Sequence, residues 1–244
     1  MNNRAERVPA SGSSFVQRIG DFVDRIDYVR MESSEQLEEV YRLRYDAYRR
    51  EDFIEANAER RCLDPFDETD NHLIYGLYLE GKLISSIRIH VLDKMRRESP
   101  STLIYGDTLN PLLDQNKIMI DPTRFTADLE ASKKYKALPY ATLRIASMAS
   151  VYFDADYCLS CIRPEHAAFY KKVYRSTQIG DIRYFPKVKF GVVLYKADAK
   201  NIRQDVWQRY PFFRAKRGED DYLFGPQKLQ RRTAETYLES VAEP

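Results

Sequence analysis

From residue 25 onward the apolar positions switch repeatedly between a period of two and a period near 3.6. "RIDYVRME" (25 to 32) alternates as a short strand. Ser33, with Gln36 three residues on, forms a capping-box pattern that opens a helix over "SEQLEEVYRLRYDAYRRE". Leu37, Tyr41, Arg44 and Tyr48 share one face of it. A guanidinium on an apolar stripe is costly unless a carboxylate meets it, so Arg44 needs a partner, whereas Arg42, Arg49 and Arg50 can face water. "HLIYGLYLEGKLISSIRIHVL" alternates on both sides of Glu80-Gly81 and reads as a hairpin. A polar, partly helical connection covers 93 to 116. "KIMI" is a strand, and "PYATLRIASMASVYF" a helix begun by Pro139 with Ala141, Ile145, Met148, Ala149 and Tyr152 on one side. "DYCLSCI" is a strand, "PEHAAFYKKVY" a helix and "PKVKFGVVLYKAD" a last strand. This order predicts an α/β (α+β) fold with a mixed sheet and helices on its faces.

Composition narrows the class. The 244 residues are 43% apolar and 31% charged, enough for one core of ordinary size. We expect a flexible leader over 1–20, a single domain over 21–198, and a helical extension over 199–244 that carries the only tryptophan, Trp207. No apolar run approaches the roughly 18 residues that cross a bilayer, and the first residues offer no secretory segment, which predicts a cytoplasmic protein. Cys158 and Cys161 of "CLSC" fall on opposite faces of their strand and, with Cys62, read as core residues, so no metal site is expected. A net charge of +2 does not suggest nucleic acid, and no recognised RNA or DNA module emerges.

Candidate chemistry gathers in two places. "FDETDN" supplies Asp67 and Asp70, possible partners for Arg44 or Arg88, or simply a polar loop at the start of a strand. "KIMIDPTRFTADLEASKKYKALPYATLR" runs from strand to helix, yet no glycine occurs between Gly106 and Gly180. Chains that clasp a pyrophosphate at such a junction ordinarily bring glycine amides close to the phosphates.

The order of elements over about residues 25 to 198 resembles the GNAT acyltransferase superfamily, in which adjacent central strands of a mainly antiparallel sheet splay apart around a pantetheine arm. The resemblance is strongest to acyl-homoserine lactone synthases and long-chain N-acyl amino acid synthases, including N-acyl tyrosine synthases. "LRYDAY" is similar to the Arg-x-x-x-Phe of their first helix, giving Arg44 and Tyr48. "FDETDN" matches their aspartates, and "SIRIH" gives Arg88. "DPTRF" resembles Glu-x-Ser-Arg-Phe, giving Asp121, Thr123, Arg124 and Phe125. The segment 163–198 resembles the acyl amino acid branch more than the lactone branch. The segment after the first helix lacks the tryptophan that lactone synthases use around S-adenosylmethionine.

The resemblance implies attack of an amino acid's α-amine on an acyl thioester. The donor would be an acyl-phosphopantetheine on acyl carrier protein, needing one phosphate contact, with no tightly bound cofactor. Asp121 would accept the amine's proton, directly or through water. Backbone amides near Phe125 and Thr126 would polarise the carbonyl, and Tyr170 would protonate the thiolate. Tyr170 is otherwise a half-buried core residue. Arg88 and Arg124 would hold the acceptor's carboxylate, or pair with Asp67, Asp70 or Asp121. His72, His90 and His166 read as structural. Lys133, Lys134, Lys136, Arg144, Lys171, Lys172 and Arg175 would form a basic surface for an acidic carrier protein, the plainer readings being a basic rim or weak peripheral contact with anionic lipid. The expected function is transfer of a fatty acyl group to an amino acid, tyrosine by family. The alternatives are a lactone synthase using S-adenosylmethionine and a non-catalytic acyl-carrier or lipid-binding module.

Overall fold

The computed structural model describes residues 14–185 and 190–226. Its elements are α1 (Phe15–Val23), β1 (Asp27–Arg30), α2 (Ser34–Arg50), β2 (His72–Leu79), β3 (Lys82–Leu92), α3 (Pro100–Asp114), β4 (Met119–Ala127), α4 (Leu129–Lys134), α5 (Leu138–Tyr152), β5 (Tyr157–Ile162), α6 (Ala167–Tyr174), β6 (Thr177–Tyr184), β7 (Gly191–Asp198), α7 (Ala199–Arg209) and α8 (Glu219–Phe224), with short 3₁₀ turns between some of them. The strands form one sheet in the order β1-β2-β3-β4-β5-β7-β6, antiparallel except for β4 beside β5. The mixed, mainly antiparallel sheet is as expected. The Ser33/Gln36 capping box closes as predicted, and Glu80 and Gly81 take φ of 54° and 78°, the paired left-handed turn of a two-residue hairpin.

Two helical layers cover the sheet. One face packs on α1, α5, α6, α7 and α8 through Leu77, Ile87, Ile89, Ile120, Ile145 and Phe213. The other face packs on α2 through Val40 and Ile74, and on α3 through Leu109, Leu113, Met119 and Leu194.

Two expectations change, and one strand is added. The boundary of the leader moves: residues 1–13 lie outside the described residues, but Ser14 caps α1, and Ile19, Phe22 and Val23 are buried in the main core. The polar composition of the first residues hid an apolar stripe at Phe15, Ile19, Phe22 and Val23. Strand β6 is an addition that the sequence pattern did not suggest, because as an exposed edge strand it needs no apolar alternation. The described part of the extension carries α7 and α8 and is not appended. Phe213, Leu223 and Phe224 are buried in the main core, the Tyr75 hydroxyl donates to the Leu223 carbonyl at 3.1 Å, and α7 packs against the sheet; residues 227–244 lie outside the described residues. Among the described residues, no helix is long and apolar enough to cross a membrane.

Candidate active site

Strands β4 and β5 pair only at Met119 with Tyr157 and Ile120 with Cys158, then part. Beyond Ile120 the β5-facing edge of β4 has no strand ladder, so a wedge opens toward Ala127 on one side and Ile162 on the other. The expected splay of central strands is present. On the α5 face this wedge leads into two adjacent cavities that share Phe125, Leu143 and Tyr170 as walls. The outer one, of about 410 Å³, lies between α4, the start of α5 and α6, with Lys136 and His166 at its rim. The inner one is narrower, about 70 Å³, and runs from Pro122 past Cys158 to Val206 and Trp207 on α7. Trp207 and α7 thus line the site.

The opposite face of the same strands is polar and buried. On β3 the alternation sends Ser86, Arg88 and His90 to this side, and on β4 it sends Asp121 and Thr123. A β-bulge then sets Arg124 and Phe125 opposite Ile87, with Arg124 at a φ of 54°. A β-bulge re-aims side chains, and a non-glycine residue in the left-handed region is held there by its surroundings. Its consequence is that consecutive residues Thr123 and Arg124 reach one cluster, while Phe125 enters the cavity on the far face.

That cluster is an ion network. Arg44 Nη1 donates to both Asp67 oxygens at 2.8 and 3.0 Å, so the helix arginine has its carboxylate. Arg88 reaches Asp64 at 2.7 Å and Asp67 at 2.8 Å, and its Nε donates to Thr123 Oγ1 at 3.1 Å. Arg124 Nε donates to Asp64 at 2.9 Å, its Nη2 also meets Asp64, and its guanidinium lies over the Tyr48 ring. Arg44, Asp67 and Arg88 have no exposed side-chain surface, whereas Arg124 is 22% exposed and Asp64 18%. Burial pushes both carboxyls up, but hydrogen bonds and charge from the arginines outweigh it and hold Asp64 and Asp67 below the usual carboxylate range.

Asp64 is the residue that sequence reasoning missed. Its signal was the string "DPFD", a cap with proline next, in which Asp64 accepts from the Phe66 N–H and Asp67 from the Asp64 N–H. Asp70 is a correction: it is exposed and borders a surface cleft with Asn71 and the 95–98 loop rather than joining Arg44, Arg88 and Arg124. Arg144 is another. It is 1% exposed, paired with Glu219 and donating to the Phe212 and Arg214 carbonyls, so it holds α5 to the extension and cannot belong to a carrier surface. It follows Lys133, Lys134 and Lys136 along the chain, but Arg144 falls on the buried stripe of α5.

Asp121 is completely buried on the polar face, opposite His90. Its carboxylate accepts from Ser101 Oγ at 2.7 Å and Ser101 N at 3.3 Å. Burial raises its pKa despite these hydrogen bonds and the charge of Arg88. Tyr170 is half-buried between the two cavities, where burial and the neighbouring Cys158 push its hydroxyl up and keep it protonated. Thr126 pairs with Ser86 Oγ at 2.7 Å and is structural in its side chain. Lys133, Lys134, Lys171, Lys172 and Arg175 are exposed, with Lys133 paired to Glu130 and Arg175 to Asp205. His72 Nδ1 donates to the Thr69 carbonyl within its turn, and His166 meets Arg163.

His90 carries a pH consequence. Burial and the charge of Arg88 pull its pKa from 6.5 to about 3, so the fold holds the ring neutral. Stability tied to that neutral ring is intact above pH 6.5 and drains as pH falls toward 3. Urea unfolding between pH 6.5 and 4.5 is expected to lose up to about 2–3 kcal/mol through this group. His90→Gln should flatten the slope; an unchanged slope would exonerate His90.

Comparison with known proteins bears on this geometry. The profile of the N-acyl amino acid synthase FeeM family matches residues 39–198. Among solved structures, FeeM, an N-acyl amino acid synthase from uncultured soil microbes, is 16% identical with a TM-score of 0.64, covering 76% of this chain and 98% of that one. BjaI, a CoA-dependent acyl-homoserine lactone synthase solved with MTA, is 11% identical with a TM-score of 0.56 over 77% of this chain and 89% of that one. MesI, also a CoA-dependent acyl-homoserine lactone synthase, is 14% identical with a TM-score of 0.55 over 77% and 95%. These structural likenesses show the shared fold. No curated protein matches the sequence.

Proposed function

The chain belongs to the N-acyl amino acid synthase FeeM family and is an acyltransferase, and from that premise we propose that it moves a long-chain fatty acyl group from an acyl carrier protein to the α-amine of an amino acid, tyrosine first among candidates. The observation that carries the reading is the wedge between β4 and β5, with an apolar cavity on one face and a buried polar cluster on the other. The acyl chain lies in the cavity and its thioester at Phe125 and Tyr170. The amine approaches from the polar face, its carboxylate drawn to Arg124, the one arginine of the network with exposed surface. Three guanidinium groups face two aspartates there, and an acceptor carboxylate would balance the remaining positive charge. The nitrogen attacks the thioester carbon, the C–N bond forms, and Asp121 takes the amine's proton directly or through water. The C–S bond then breaks and the thiolate takes a proton from Tyr170.

Lys136 at the cavity rim, with Lys133 and Lys134 on one side and Lys171, Lys172 and Arg175 on the other, suits the acidic surface of a carrier protein. No glycine stands at the start of α5 to admit a pyrophosphate closely. We therefore expect carrier-bound donors to exceed matched coenzyme A thioesters in kcat/KM by at least about tenfold at low salt, and the advantage to shrink as salt rises. The check is mass spectrometry of products from purified protein, both donor forms, a mixture of amino acids, and S-adenosylmethionine. An N-acyl amino acid supports the proposal, whereas a lactone replaces it. A preference for the coenzyme A form removes the carrier protein alone.

A further inference from the structure

The inner cavity ends in polar groups that nothing in the protein uses. Tyr174 lies one turn, about 6 Å, beyond Tyr170 along α6. Its hydroxyl is buried with no hydrogen-bond partner. Arg175 then takes a φ of 50°, ends α6, and turns Ser176 onto the same cavity, where Ser176 is 5% exposed and its hydroxyl is also without a partner. From the other side α7 brings Arg203, whose Nε is buried and unpartnered and whose guanidinium lies over the Trp207 ring. The rest of the inner lining is largely apolar, as Ile87, Leu143, Val151 and Val206 illustrate.

Buried polar groups left without partners cost stability, and three around one cavity are a site prepared for a ligand atom. All three can donate a hydrogen bond and two can also accept one. We propose that the inner end of the cavity selects acyl chains bearing an oxygen, a hydroxyl or oxo group, which accepts hydrogen bonds from Tyr174, Ser176 and Arg203. The proposal rests on the reading of the cavity as the acyl site. Helix α7 lies beyond the family-matched residues 39–198, so Arg203 is a feature of this chain's extension rather than of the matched segment.

The test is equilibrium binding of paired acyl-pantetheine thioesters of equal length, unsubstituted or carrying oxygen as 3-hydroxy, 3-oxo or terminal hydroxyl, to the full-length protein. One oxygenated member is expected to bind about tenfold more tightly than its plain partner. Tyr174→Phe and Ser176→Ala should each erase most of that preference while leaving affinity for the plain chain unchanged. Because each variant removes an unpartnered hydroxyl, its unfolding midpoint should stay level or rise, whereas a hydroxyl with a structural partner would lower it. The arms identify the oxygen and its depth. Equal binding of plain and oxygenated chains by the wild type overturns the proposal, as does a preference that both variants retain. Discrimination in binding with no acyl transfer to any amine would overturn the proposed function and leave this selectivity standing.

Discussion

Asp67→Ala is expected to lower stability by about 3–5 kcal/mol, enough to leave much of the protein unfolded at 37 °C. Asp67 is the carboxylate that meets Arg44, and it shares Arg88 with Asp64. Arg44 and Arg88 have no exposed surface, and arginine cannot shed its proton to escape burial. Arg44 is already under-satisfied, since its Nε and Nη2 have no partner, so removing Asp67 leaves a bare guanidinium in the core. The pair is not thereby a large net stabiliser, because both charges were taken from water to form it. Replacing both ends, Arg44→Met with Asp67→Leu, should therefore recover most of the loss. The carboxyl's depressed pKa fixes the pH window: the stability it contributes is present above about pH 4 and is lost as pH falls through the lower folded value. Urea unfolding followed by circular dichroism measures each variant, and a cost below about 1 kcal/mol for Asp67→Ala would mean that water or Asp64 replaces the lost partner.

The need for this network was legible in the sequence, but its membership was only partly so. Arg44 on an apolar stripe demanded a carboxylate, and Asp67 supplied it. Motif and spacing pointed to Asp70 and passed over Asp64, because a 3₁₀ turn rather than a helix or strand sets which aspartates face the arginines. The turn points Asp64 and Asp67 inward and leaves Asp70 outside. The fold was readable where one face of an element is buried and the other is not, as in α2, and where a two-residue turn separates two alternating runs, as in the β2–β3 hairpin. It was less readable in β6, a largely exposed edge strand, and in α4, a helix of six residues. Arg144 failed for a related reason. Charge counted along the chain groups it with lysines 133, 134 and 136, whereas burial is decided around the helix, and its partner Glu219 lies 75 residues away. The polar ends of the inner cavity, Tyr174, Ser176 and Arg203, come from the end of α6, the turn after it and α7, and carry no local pattern.

The two faces of β4 divide the proposed chemistry, and Asp121 tests the division. Asp121→Asn is expected to lower kcat by at least about tenfold, and by up to the 10² to 10⁴ that a well-placed base contributes, while the fold survives. The amide retains an oxygen for the Ser101 hydroxyl and N–H, but it cannot take the proton released as the C–N bond forms. Burial raises the Asp121 carboxyl, so the folded protein favours its neutral form more than the unfolded chain does. The sign follows: this group's stability is complete below its ordinary pKa of 3.8 and is lost as pH rises through the raised value. Asparagine, neutral at every pH, should therefore match or exceed the wild type in urea resistance at neutral pH. Catalysis runs the other way, because the base must be ionised, and the wild-type rate should climb with pH through the same raised value. The variant should lack that climb. A variant with wild-type kcat and an intact acid limb would take Asp121 out of proton transfer and leave it as a buried anchor for the start of α3. A variant that loses both rate and stability would point to that anchoring role as well.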